Sequence, residues 1–279
     1  MWFVKNPQEK AETQFIQAVG YAEHAALLAA DGDYSSAVQN YDIALNLLRT
    51  AEANALDTSK FQRQMCVTLL ALGELHGQYG NENESQHNYV AAIDTARHLV
   101  RTDDSLENLK LFQQCMLDGV SGLLDYERFE DGLKQARNVV DLSKMLLQRD
   151  LDAEDLQHAY AYSMSLLMHF EEGCGDLQEA YNVASNRCDF EMDLLEANPD
   201  HPSAIWRLAD SIMAMSNYLE GDRKAAQYEI ALGIMHDLNR KGQLPPHQVT
   251  TYEHLMNLRA GRNAIVANCH ANHGWVAQN

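Results

Sequence analysis

Between residues 34 and 48 the chain reads YSSAVQNYDIALNLL, and small or apolar side chains return at Ala37, Tyr41 and Ala44, spaced by four and three. Polar residues fill the gaps, which is the period of an amphipathic helix with one buried face. A turn signal, Asp-Gly-Asp at 31–33, precedes it. The same arrangement returns along the chain. Residues 79–96 (YGNENESQHNYVAAIDTA) align Gly80, Ser85, Tyr89 and Ala92 with Gly32, Ala37, Tyr41 and Ala44. A third copy places Phe129 where Tyr34 stands, followed by Gly132, Ala136 and Val139. A fourth has Gly175-Asp176 and then Ala180 and Ala184, and a fifth has Gly221-Asp222 and then Ala226 and Ile230.

The anchors fall at 32, 80, 127, 175 and 221, so the intervals are 48, 47, 48 and 46 residues. Self-similarity at a near-constant period is the mark of a repeat array. Upstream of each turn lies a second helical pattern, over 11–30, 61–79, 108–124, 156–172 and 204–219. In the second copy Leu69, Leu72, Gly73 and His76 share one face. Each unit therefore reads as helix, short turn, helix, with small residues such as Ala25, Gly73, Ala37, Gly132 and Ala180 where two helices approach closely. No proline occurs between Pro7 and Pro199, which suits long helices, since proline disrupts a helix interior by roughly 3 kcal/mol.

Leu72-Gly73, Ala37-Tyr41-Ala44 and Ser85-Tyr89-Ala92, with the Gly-Asp turn, resemble the tetratricopeptide repeat over roughly residues 11–240. The interval of about 47 exceeds the usual 34 and implies longer helices and linkers, as in the long-helix arrays found beside bacterial signalling domains. The resemblance implies an all-α, right-handed α-solenoid of five helix-turn-helix repeats plus a C-terminal capping helix, about eleven helices with no internal domain boundary. The expected organisation is an N-terminal segment at 1–10, five hairpins over 11–245, a capping helix over 246–267 and a tail over 268–279. Val249, Tyr252, Leu255 and Met256 would pack the cap on the fifth hairpin, because a terminal repeat needs its apolar face covered.

The 40 acidic residues outnumber 21 basic ones, for a formal charge of −19. The basic residues are dispersed among acids, which disfavours nucleic acid and anionic membrane as partners. No stretch approaches the roughly 20 apolar residues of a membrane helix, and MWFV followed by Lys5 and Pro7 is too short for a secretory leader. Cysteines at 66, 115, 174, 188 and 269 form no CxxC pair, so four helical ones read as reduced, buried hydrophobes. A cytoplasmic protein is expected.

Candidate chemistry is sparse. Cys269, His270 and His273 are metal-type ligands, but a structural zinc site needs about four. Glu84 and His87 have the spacing of di-metal bundle ligands, yet they open a helix beside Ser85, a packing position. TDDSLE at 102–107 imitates a magnesium-diphosphate motif but precedes a helix, where Asp104 or Ser105 can cap and Glu107 can favour the first turn. No phosphate loop, nucleophile elbow or HExxH motif occurs. Single histidines (24, 76, 158, 169, 254) sit apart on helices. The reading is non-catalytic, with no cofactor or metal.

Recognition remains. In resembling arrays the first helices line a concave groove. Counting from the small-residue anchors places Val19, Ala22, Ala26, Val67, Leu70, Glu74, Gln114, Leu117, Ser121, Tyr162, Ser165, His169, Ser211 and Met215 along it. The Lys, Asn and Arg set of the family's peptide-carboxylate clamp is missing. A scaffold or adaptor for a protein or peptide follows, with two alternatives. One is a sensor array that binds a peptide or small ligand and signals to another chain. The other is a structural subunit of a homo- or hetero-oligomer, docked through MWFV.

Overall fold

The computed structural model describes residues 7–259 other than 200, 201, 247, 251, 254, 255 and 258. The N-terminal MWFV, the tail with Cys269, His270 and His273, and the end of the expected capping helix lie outside them. Among the described residues ten helices have defined bounds, in order α1 (Pro7–Ala30), α2 (Tyr34–Glu52), α3 (Ser59–Gln78), α4 (Glu82–Thr102), α5 (Leu106–Asp125), α6 (Phe129–Leu147), α7 (Glu154–Gly173), α8 (Leu177–Ala197), α9 (Pro202–Ser216) and α10 (Gly221–Arg240), and further helical residues follow after 245. No strand occurs among the described residues. The fold is an all-α helical repeat.

The turns explain the repeat. After α1, the Gly32 N–H bonds Ala29 O and the Asp33 N–H bonds Leu28 O, a Schellman ending that requires a left-handed residue. Gly32 supplies it with φ of 81°. Asp33 then caps α2 by accepting from the Ser36 N–H at 3.2 Å. The backbone ending recurs at Gly80 with Asn81 and at Glu127 with Arg128, without a side-chain cap at either. Gly175 is again left-handed, and Asp176 caps α8 through Glu179 N–H at 3.0 Å. Glu127 is the exception in residue type, holding φ of 55° without being glycine.

Two compact units divide at Gly175. In the first, α1 packs on α2, α3 on α4, α5 on α6 and α7 on α6, and the first helices also meet: α1 on α3, α3 on α5, α5 on α7. Ala37, Tyr41 and Ala44 are buried, as are Ser85, Tyr89 and Ala92, and Gly132, Ala136 and Val139. Tyr34 ties successive hairpins. Its ring stacks on Tyr79 (centroids 4.4 Å apart), and its hydroxyl accepts from Asn81 Nδ2 at 2.6 Å and lies 2.8 Å from His76 Nδ1. Before α5, Asp103 rather than Asp104 orders the turn. It accepts from the Ser105 N–H and from Asn108 Nδ2, while Arg63 Nε on α3 donates to Asn108 Oδ1 at 2.8 Å. Cys66 and Cys115 are buried here, whereas Cys174 is exposed, against expectation, at the end of α7.

In the second unit α9 packs on both α8 and α10. Ala180 and Ala184 are buried as the repeat requires, but Ala226 is exposed and Ile230 is 51% exposed. The fifth register is displaced by two residues. Lys224 and Tyr228 take the places read at 226 and 230, because α9 is shorter than the other first helices and Gly221 opens α10 instead of closing the turn. The described residues between 246 and 259 are helical. Tyr252 is buried against the α9–α10 core, with Val249 and Met256 half-buried beside it.

Candidate partner-binding face

Within the first unit α1, α3, α5 and α7 lie side by side. Among the described residues α2, α4 and α6 do not pack on one another. The layer of first helices is thus the closer-packed, inner side of this unit. Glycines set its spacing. A Cβ on Gly73 would stand 3.0 Å from the Tyr89 ring, and one on Gly122 would stand 2.7 Å from its other edge. Tyr89 is therefore a wedge clasped between α3 and α5.

The outward side of this layer carries most of the candidate residues. Leu70 is half-buried and Glu74 exposed on α3; Gln114 is exposed and Ser121 half-buried on α5; Tyr162 and His169 are exposed and Ser165 half-buried on α7. Val67 and Ala26 are exposed, with Val19 and Ala22 half-buried. Two of these residues meet, for the Tyr162 hydroxyl donates to Ser121 Oγ at 3.2 Å. Gln114 Nε2 donates to Asp118 Oδ1 at 2.7 Å, and Glu74 accepts from Gln78 at 3.2 Å. Leu117 is only 3% exposed and belongs to the core. The first helices are buried on two sides, and position 117 turns inward. In the second unit Ser211 is fully buried, while Met215 is half-buried and lines an apolar groove.

Asp118 carries no sequence signal of its own, although it lies one turn beyond Gln114 on the same face. Burial pushes its carboxyl up, the bond from Gln114 opposes that, and the charge of Glu74 adds to the rise. Burial also raises the Tyr89 phenol, with Asp118, Glu74 and Asp125 contributing. The face is acidic, and its carboxylates repel one another. Glu84 and His87 are exposed near the start of α4, and no group of three potential metal ligands occurs among the described residues.

No family model and no curated protein matches this sequence. The apo form of RapI is similar in structure, with a TM-score of 0.54 and 12% identity over 90% of this chain and 85% of that one. Also similar are a thermophilic TPR protein from Thermus thermophilus (TM-score 0.37, 17% identity, 86% and 98% covered) and the S. pombe nuclear import adaptor Nro1 (TM-score 0.37, 14% identity, 87% and 99% covered). At such identities the likeness is one of fold. The described residues form an all-helical repeat array, consistent with a tetratricopeptide-like repeat. No described helix is long and apolar enough to cross a membrane.

Proposed function

We propose that this protein is a non-catalytic interaction module, a scaffold or adaptor, holding a protein or peptide segment along the outward side of α3, α5 and α7. The observation that carries this reading is the continuity of that side. Glu74, Gln114, Asp118, Ser121, Tyr162 and His169 present hydrogen-bonding groups and one exposed aromatic ring on three adjacent helices. Tyrosine at such a position supplies contact area at low entropic cost and is enriched among residues that dominate binding energy. The raised carboxyl of Asp118 favours a partner bearing lysine or arginine, because a cation docked there would relieve its repulsion with Glu74. The partner is then a basic or mixed-charge segment lying across the helices.

The test is affinity capture with the wild-type chain and with a Tyr162→Ala/Gln114→Ala variant. Both residues are exposed, so thermal unfolding of the variant should match wild type. Partners retained by wild type should fall about tenfold or more on the variant, the scale of a lost binding hot spot. Equal recovery on both would refute the assignment.

A further inference from the structure

We propose that the second unit has its own docking groove, between α8 and α10, and that its occupant is a short amphipathic helix carrying lysine or arginine beside its apolar stripe. The groove arises from the packing. Helices α8 and α10 each lie against α9 but do not pack on one another, so α9 becomes a floor with a wall on either side. This open groove has a volume of ≈ 680 Å³. Met192 and Leu195 come from α8, Ile212 and Met215 from α9, and Ile230 and Ile234 from α10. Met192 is 45% exposed and Ile230 51% exposed. Ile230 reaches the groove because of the two-residue shift in the fifth repeat, which removes it from the packing position that its register predicts.

The occupant follows from shape and charge. The α8 wall runs from Cys188 to Glu196, roughly 12 Å at the rise of a helix, and Pro199 extends it past the helix end. That length suits about two to three turns of a partner helix whose apolar side chains recur at i, i+3, i+4 and i+7. Unbranched methionines on two of the three elements let the lining repack around such anchors. The charged side chains lining the groove are both acidic, Asp189 and Glu196, two turns apart on α8, with Asp193 exposed between them. Cationic residues flanking the partner's apolar stripe would meet this edge, so charge fixes orientation and apolar contact supplies affinity. A second copy of this chain, itself at −19, brings like charge to the rim. A lipid chain would bring an anionic or neutral headgroup to it. Neither fits as well.

The experiment uses the full chain and three labelled synthetic peptides of about 14 residues, long enough for about four helical turns. One is a leucine/lysine sequence with helical apolar period, one a scramble of identical composition, and one the leucine/glutamate counterpart. In fluorescence anisotropy the first should bind about tenfold or more tightly than the scramble, and the glutamate peptide weakest. Ile230→Asp and, separately, Met192→Asp should each weaken the first peptide about tenfold, since both remove an apolar anchor. Both sites are half-exposed, so thermal unfolding should be unchanged. Asp189→Lys/Glu196→Lys should reverse the preference toward the glutamate peptide. Tyr162→Ala/Gln114→Ala should leave this binding intact, which separates the groove from the face on the first unit. Equal binding of peptide and scramble, or affinity indifferent to both Ile230→Asp and Met192→Asp, would overturn the proposal. So would a dimer of the chain that Ile230→Asp dissolves, because it would assign the groove to a second copy.

Discussion

The hydroxyl of Tyr162 on α7 donates to Ser121 Oγ on α5 at 3.2 Å, joining residues 41 positions apart across adjacent first helices. The bond holds the Tyr162 ring at a fixed place while leaving it exposed. An aromatic ring held so gives up little further freedom when a partner covers it. The residues flanking this pair on α3, α5 and α7 form the face on which the proposed function rests.

Gly132→Ala should destabilise the first unit sharply. A Cβ on Gly132 would lie 2.1 Å from the Phe170 ring, and one on Gly173 would lie 2.2 Å from Phe129. The two rings themselves meet edge to face, with centroids 6.4 Å apart. Each glycine of the α6–α7 pair thus receives the other helix's phenylalanine. Overpacking of this kind costs about 1–3 kcal/mol or more. Thermal denaturation should show Gly132→Ala below wild type, with Gly132→Ala/Phe170→Leu recovering part of the loss. Equal melting of all three would contradict the interlock.

Glu127→Gly should stabilise. Glu127 occupies the left-handed position that glycine fills in the neighbouring turns, at φ of 55°. Such a conformation costs a residue with a Cβ about 1–2 kcal/mol, and glycine avoids it. Urea unfolding should move the midpoint upward by an amount equivalent to about 1 kcal/mol, less the entropy that glycine adds to the unfolded chain.

These two substitutions mark the line between what is legible in sequence and what is not. The burial of Ala37, Tyr41 and Ala44, and of their equivalents through Ala184, follows from helical period alone, because local spacing decides which face is apolar. The repeat interval even locates the left-handed Glu127, where no glycine announces it. The Gly132–Phe170 interlock cannot be read in this way, since its partner lies 38 positions away on another helix. The fifth register fails because α9 is short, and length enters only through the loop at 217–220. On the candidate face, the exposure of Glu74, Gln114 and Tyr162 is legible, because they are polar or aromatic residues set at helical spacing from buried apolar ones. Leu117 and Ser211 are misplaced because first helices are covered on two sides, so one step of about 100° separates groove from core. Asp118 is illegible because its raised carboxyl depends on burial and on Glu74 from a different helix.

Lowering pH should weaken the α1–α2 to α3–α4 junction through His76. Asn81 donates to the Tyr34 hydroxyl, whose oxygen also lies 2.8 Å from His76 Nδ1; a neutral ring can accept the Tyr34 proton there, and a protonated ring cannot. Burial lowers its pKa, against smaller opposing effects of Glu84 and Asp42. Below the ordinary histidine range of about 6.5 the unfolded chain binds a proton that the folded one resists. The contribution is therefore complete above about 6.5 and is lost as pH falls through the lowered folded value. His76→Asn, which keeps an acceptor without a proton to gain, should show a smaller fall in Tm between neutral pH and about pH 5 than wild type. Parallel melting curves would contradict this.

Arg207→Met should destabilise the second unit by about 3–5 kcal/mol, the scale for stranding a buried charge. Arg207 Nε donates to Glu191 Oε2 at 3.0 Å, and both residues are nearly or fully buried. Glu191→Leu/Arg207→Met should be more stable than Arg207→Met alone, since the buried Glu191 carboxylate is then no longer left without Arg207. A double variant no more stable than the single one would show that the pair does not act as a unit.

The most direct measurement is amide hydrogen exchange on the full chain, free and bound to a partner recovered by wild type but not by Tyr162→Ala/Gln114→Ala. Binding across the first helices predicts slowed exchange at 70–78 of α3, 114–121 of α5 and 162–169 of α7, with α2, α4 and α6 little changed. Protection confined to α2, α4 and α6, with those three segments unaltered, would contradict the account.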